Sequence, residues 1–173
     1  AVFDTAFHQT MPPHAYLYAV PYAWYEQHAV RKYGFHGTSH RYVSARAIEM
    51  MKLNPADNAV IVAHLGNGCS ATAVRNGRCD DTTMGLTPLE GLVMGTRSGD
   101  IDPAIIGFMC ERLKCDATKL VDMLNKQSGL LGVSGLSNDF RNLAEECGKG
   151  NARAVLAVEM FCYRVRKYIG SYM

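Results

Sequence analysis

Ala63-His64-Leu65-Gly66-Asn67-Gly68-Cys69-Ser70 is the stretch on which the reading of this chain turns. The run before it, Asn58-Ala59-Val60-Ile61-Val62-Ala63, is short, β-branched and bounded by Asn and Gly, and reads as a buried strand. After it, Ser70-Ala71-Thr72-Ala73-Val74 alternates small polar and apolar residues and reads as a second strand. Asn76-Gly77 then predicts a tight hairpin turn, because both central residues of such a turn need positive φ. Arg78–Thr83 is the returning strand. The Gly66-Asn67-Gly68 bend between the first two strands lets backbone amides come close to a ligand, and Asn67 offers a neutral amide donor. That chemistry suits a phosphate, although a plain Gly-rich turn would look the same. Other stretches have to decide.

Working outward, 173 residues suffice for one ordinary domain with a real core. A hydrophobic content of 48% with 20% charged residues is that of a globular protein. A net charge of +2 without a Lys/Arg run gives no basis for nucleic-acid binding. No apolar stretch approaches the ~20 residues of a membrane span, and the start carries no signal-peptide pattern. Six cysteines, at 69, 79, 110, 115, 147 and 162, form no CxxC and no metal-finger spacing. They read as small hydrophobes in a reducing compartment, hence a cytoplasmic location. The ends look like those of a fragment, beginning in mid-strand and stopping in mid-helix.

Along the chain, Phe3-Asp4-Thr5-Ala6-Phe7-His8 is an apolar stretch with one acid. Asp4 is either a turn or cap aspartate or an acid aimed into a cleft at a metal or a reacting oxygen. Ala15–Pro21 reads as extended, and Pro21 can start a helix over 22–28. In Tyr33-Gly34-Phe35-His36-Gly37-Thr38-Ser39-His40, flanking glycines present Phe35 and His36 tightly. Thr38 or Ser39 is expected to cap a helix reaching about Lys52, with Val43, Ala47 and Met50/Met51 on one face. The His36/His40 spacing could suit zinc on a helix, but Gly37 and the cap put His36 outside it. His40 reads as a local hydrogen-bonding residue, and His36 as a candidate catalytic donor.

Further on, a loop and a short helix over 89–94 are expected. Asp102-Pro103 caps a helix through Leu113, and Ala117–Lys126 is amphipathic. Arg97, on a glycine-flanked approach, could reach a phosphoryl group with its fork of donors, or pair with Asp100 or Asp102. Gly129–Gly135 reads as an apolar turn, and Ser137-Asn138-Asp139 as the cap of a helix. Arg141, a cation opposing that helix's dipole, suggests a reason other than helix stability. Asn151 caps a last helix whose stripe runs through Val155, Val158, Phe161/Cys162, Val165 and Tyr168/Ile169. Neither a P-loop nor a G-x-S-x-G elbow occurs.

With these segments assembled, the chain strongly resembles the acetate/propionate kinase family. The resemblance is carried by Tyr33–His40, by His64-Leu65-Gly66-Asn67-Gly68, and by the long signature Asp81–Pro103. Phe3–Pro12 and Ser128–Gly132 match as well. It implies an α/β fold of the actin-like/sugar-kinase (ribonuclease H-like) ATPase type, here incomplete, with a β-hairpin sheet flanked by helices. Residues 1–12 would be the end of the first domain, and 13–173 most of the second, nucleotide- and phosphate-binding domain. The implied reaction is reversible phosphoryl transfer from ATP to acetate, with Mg2+, giving acetyl phosphate and ADP.

The resemblance also distributes roles. Asp4 would be the catalytic acid associated with magnesium. His36 and Arg97 would stabilise the migrating phosphoryl group, with Asn67 beside them. His64, Leu65, Gly66, Asn67 and Gly68 would form the phosphate-binding loop, and Asp139, Phe140 and Arg141 a nucleotide-contacting segment. Phe35 and Pro88 would wall the pocket for the acyl methyl. The family is dimeric through its second domain, so a homodimer is implied, with neither nucleic acid nor membrane as partner. Its amino-terminal phosphate loop, its first-domain arginine and its downstream Gly-Gly-x-Gly-Glu segment with a magnesium-linked glutamate are absent, so the chain by itself is expected to be inactive. Two other readings stand beside this one. One is a propionate kinase of the same family, since one methylene is worth only ~1–3 kcal/mol in a pocket. The other is a non-catalytic nucleotide-binding or dimerisation core.

Overall fold

A computed structural model describes residues 3–173, and the residues fall into two compact units. The first holds the described part of Ala1–Leu65 together with Ser70–Glu90 and Tyr168–Met173; the second holds Gly66–Cys69 and Gly91–Lys167.

In the first unit the expected strands form. β1 (Ala59–Leu65), β2 (Cys69–Arg75) and β3 (Arg78–Thr82) make a three-stranded sheet in the order β1-β2-β3. Asn76 and Gly77 have φ of 52° and 73°, as the hairpin requires. Asn76 does more than turn the chain. Its N–H donates to Asn58 O and its Oδ1 accepts from Asn58 N–H, which ties the turn to the start of β1. The β2–β3 ladder is antiparallel, and a bulge leaves Asp80 as an extra residue, paired to Arg75 at 3.0 Å.

The inner positions of this sheet are unexpectedly polar. Ser70, Thr72, Thr82 and Thr83 are fully buried beside Ala71, Val74, Cys79 and Met84. Thr72 and Thr82 hydroxyls pair at 2.8 Å, and Thr83 Oγ1 accepts from Ala71 N–H, so burial leaves these groups satisfied.

The first two residues, where the chain was expected to begin in mid-strand, lie outside the described residues, and residues 3–10 form no strand. Residues Ala6–Thr10 form a 3-10 turn, because their polar side chains are committed elsewhere. His8, fully buried, donates from Nε2 to Phe35 O at 2.9 Å, and its Nδ1 lies 3.2 Å from Cys79 Sγ. Thr10 donates to Cys79 O. Part of the stretch read as extended is a single helical turn, α1 (Pro13–Tyr16), opened by Pro13. α2 (Tyr22–His28) follows Pro21 as expected and ends on Ala29 in the left-handed region.

α3 (Gly37–Met50) starts one residue before the expected hydroxyl caps. Neither Thr38 nor Ser39 caps it; Asp4 does, from outside the helix. Its face is also not the one expected. Gly37, His40 and Ser44 are buried, whereas Val43, Met50 and Met51 are exposed. The i, i+3, i+7 row of small and polar residues fits against a polar-lined sheet, where the larger apolar side chains would not.

In the second unit, α4 (Ala104–Leu113), α5 (Ala117–Lys126), α6 (Gly129–Ser134), α7 (Phe140–Gly148) and α8 (Ala152–Tyr172, whose last turn belongs to the first unit) are connected by short loops. Asp116 caps α5, and Asp102 Oδ1 accepts from Ala104 N–H at the start of α4. The Gly129 region is helical, not a turn, and the helix expected over 89–94 does not form. There Gly91 N–H goes to the Asp100 carboxylate at 2.7 Å and Met94 N–H to Arg97 O. Those donors are spent outside any helix. The core is Leu130, Leu143, Ala154 and Ala157, with Val133, Cys147, Val158 and Phe161 around it. The expected α8 stripe therefore contributes Val158 and Phe161, but its deepest residues are the two alanines.

Candidate functional site

Three expected site residues meet in the first unit, at the N-terminus of α3. His36 is the N-cap residue, held at φ 58°, a conformation that costs most residues energy. It is kept there by Asp4: the carboxylate Oδ2 accepts from His36 N–H at 2.7 Å and the carbonyl from Gly37 N–H at 2.8 Å. A Cβ on Gly37 would stand 2.3 Å from Asp4 O, so only glycine allows this approach. Asp4 is thus a capping aspartate, and it is also an exposed carboxylate beside a candidate catalytic imidazole. His64 stacks on His36 with ring centroids 4.0 Å apart, and its Nδ1 pairs with Ser39 Oγ at 2.9 Å.

Beneath this pair lies a polar layer that the sequence reading did not assign. Ser70 Oγ lies 2.9 Å from His36 Nδ1 and 2.7 Å from His40 Nε2, and both Ser70 and His40 are fully buried. Burial, then the charges of His8, His36 and His64, push the His40 imidazole down to about 3, so it is neutral near neutral pH. Burial likewise lowers His8. The bond expected of His40 exists, but it reaches across 30 residues of sequence. The signal that could have found Ser70 was available: a small hydroxyl residue directly after a glycine bend, on a strand otherwise fit for burial.

Phe35 and Pro88 are half-buried in the same unit. Their segments are stitched together, since Tyr33 and Gly34 N–H both donate to Gly85 O. Lys32 Nζ donates to Thr82 O at 2.9 Å and lies 3.8 Å from Glu90; Tyr18 OH donates to Glu90 and accepts from Leu86 N–H.

The remaining expected residues belong to the second unit. Asn67 O accepts from Gly95 N–H, and Asn67 Oδ1 accepts from Asn138 Nδ2 at 3.0 Å. The amide oxygen is thereby used, which leaves its NH2 as the donor. A Cβ on Gly95 would fall 2.1 Å from that oxygen. In the bend, Gly66 N–H donates to Gly68 O. Arg97 sits on a loop fixed by Met94 N–H to Arg97 O and by the close approach of Gly129, at φ 60°, to both. Its guanidinium acts on Cys69, whose thiol burial pushes up to about 11 despite that charge. Asp102 Oδ1 accepts from Ala104 N–H, and the Asp100 carboxylate accepts from Gly91 N–H. Asp139 caps α7, and Arg141 folds back on it at 2.7 Å, holding the carboxyl down to about 2. That pairing is the reason for the cation in a first turn: it sits on its own cap.

The whole chain, residues 1–173, matches the model of the acetokinase family. The chain belongs to that family. Among relatives of this acetokinase chain, the acetate kinase of Treponema denticola is 59% identical over 172 residues, covering 99% of this chain and 43% of that protein. The crystal structure of Porphyromonas gingivalis acetate kinase superposes with a TM-score of 0.96 at 53% identity, covering 99% of this chain and 43% of the other. A propionate kinase from Francisella tularensis gives 0.96 at 55% identity, covering 100% and 44%. The acetokinase chain therefore spans well under half the length of the curated relatives it matches. The match supports the expected α/β, actin-like kinase fold.

For a hard divalent cation, this acetokinase chain supplies the exposed Asp4 carboxylate; among the described residues no group of three or more potential ligands exists. A lone carboxylate is one of the oxygen donors that a cation such as Mg2+ takes beside phosphate oxygens and water.

Proposed function

We propose that this chain carries part of the catalytic machinery of a carboxylate kinase that moves a phosphoryl group reversibly between ATP and acetate. The observation that carries the reading is the convergence of Asp4, His36 and His64 at the positive end of a 14-residue helix. A loose phosphoryl transition state asks for positioned donors and charge, with little covalent chemistry from the protein. His36 and Arg97 would donate to the migrating group, and the Asn67 NH2 would add a neutral donor. Mg2+, when bound at Asp4, would neutralise charge on the phosphate oxygens. His64, Leu65, Gly66 and Gly68 would cradle phosphate, and Phe35 and Pro88 would wall the acyl pocket. Asp139, Phe140 and Arg141 would contact nucleotide, with Arg141 exchanging its Asp139 partner for it.

We further propose the division of residues 1–12 and 13–173 between two domains of the kinase, and a cytoplasmic location. The six free cysteines favour the latter. Among the described residues no helix is long and apolar enough to cross a membrane. A homodimer is favoured by α4, an apolar helix with no buried residue, which exposes Ile105, Phe108 and Leu113. Propionate is the alternative substrate, supported by the propionate kinase among the structural neighbours.

Hydroxylamine trapping of acetyl phosphate with ATP, Mg2+ and acetate, run beside intact-mass analysis and ADP-binding calorimetry, tests the reading. The 19.0 kDa chain is expected to bind ADP but yield no hydroxamate, because the family's other phosphate- and substrate-binding segments are not in it. Product from the 19.0 kDa species would overturn the need for those segments. Failure to bind ADP at roughly millimolar concentration would overturn the nucleotide assignment.

A further inference from the structure

We infer that Ser70 and His40 are positioning residues that fix which nitrogen of His36 carries the proton. A serine hydroxyl has one hydrogen to give and lone pairs to accept with. Ser70 Oγ, fully buried, is shared by two imidazoles, at 2.9 Å from His36 Nδ1 and 2.7 Å from His40 Nε2. With both rings neutral, two proton arrangements satisfy both contacts and also use the serine hydrogen; a third, in which both rings donate to Ser70, would leave that buried hydroxyl hydrogen without an acceptor. In the first, His40 Nε2–H donates to Ser70, and Ser70 donates to His36 Nδ1. In the second every arrow reverses, and the proton of His40 moves to Nδ1.

The structure separates these two, because His40 Nδ1 is buried without a hydrogen-bond partner. The second arrangement would strand an N–H donor there, whereas the first leaves only a bare lone pair. Orphaned buried N–H groups are the rarer and costlier outcome. The first arrangement also keeps His40 in the tautomer that histidine intrinsically prefers. The chain of donation is therefore His40 Nε2–H to Ser70 Oγ–H to His36 Nδ1, and it leaves His36 protonated on Nε2. No bond other than hydrogen bonds changes, and no proton is gained or lost. The stack with His64 holds the ring's orientation, the Asp4 carboxylate holds the His36 backbone N–H, and the buried serine sets the ring's polarity. In the kinase reading the consequence is that His36 meets a phosphoryl oxygen as a donor from Nε2; that role rests on the function proposed above, while the tautomer itself does not.

The test is ring-15N NMR of the 173-residue chain, in which protonated and bare imidazole nitrogens resonate far apart. His36 and His40 are each expected to show a protonated Nε2 and a bare Nδ1. Ser70→Ala should shift the His36 Nδ1 signal towards an averaged position as both tautomers become populated, and Ser70→Thr, which keeps the hydroxyl, should restore it. A protonated Nδ1 on His36 in the unsubstituted protein would overturn the inference, and needs no variant to fold. So would a Ser70→Ala protein of native-like thermal stability whose His36 signals are unmoved. Absence of ADP binding or turnover in the separate assay would count against the kinase reading and leave these spectra as they are.

Discussion

Gly37 has no room for a side chain, because the Asp4 carbonyl occupies the place a Cβ would take. Gly37→Ala is expected to push Asp4 off the start of α3 and destabilise the protein by about 1–3 kcal/mol, read as a lower urea midpoint at unchanged slope. The His40 imidazole lies against those of His8, His36 and His64, and this gives a pH prediction. Folding lowers His40 to about 3 and lowers His8 from the ordinary value of 6.5. The unfolded chain thus binds more protons than the folded one below that ordinary value. The contribution of these two rings should be constant above about pH 6.5 and be lost as the pH falls below it, at up to about 1.4 kcal/mol per pH unit from each ring. Urea titrations at stepped pH check this, and His40→Gln should flatten the slope. A slope unchanged by His40→Gln would refute the assignment.

Among elements, the loop between β3 and the second unit is held by side chains in addition to the backbone bonds that Gly85 O accepts from Tyr33 and Gly34. Residues 83–90 have no helix or strand, yet Met84 is fully buried. Tyr18, Glu90 and Lys32 hold that loop through Leu86 N–H, the Tyr18 hydroxyl and Thr82 O. Tyr18→Phe is expected to remove the acceptor of Leu86 N–H and one donor to Glu90, costing about 1–3 kcal/mol locally. Hydrogen exchange should show Leu86 opening faster while β1 and β2 are unaffected; uniform acceleration across the sheet would mean global loosening instead. If Pro88 walls the acyl pocket, the same change should narrow the preference between acetate and propionate in the working enzyme.

At the scale of the molecule, α4 turns Ile105, Phe108 and Leu113 outward. If they form a subunit interface, light scattering should give about twice 19.0 kDa, and Phe108→Glu should return the mass of a single chain. A single-chain mass without the substitution would remove this face as an interface. The strands, the Asn76-Gly77 turn, α2 and α5 were all legible in the sequence, because each is set by local periodicity, a proline or a turn residue with its own φ requirement. The family was legible too, since short motifs carry it. What sequence did not reveal is where donors go when a distant partner outcompetes the local one. Asp4 caps α3 in place of Thr38 or Ser39, and Asp100 takes the Gly91 amide that a helix over 89–94 would have needed. For the same reason Gly37, His40 and Ser44 face inward instead of Val43, Met50 and Met51: the surface that α3 meets is polar, and only tertiary structure brings that surface into being. Local chain preferences were settled by the sequence; the choice among competing hydrogen-bond partners was settled by which groups folding brings together.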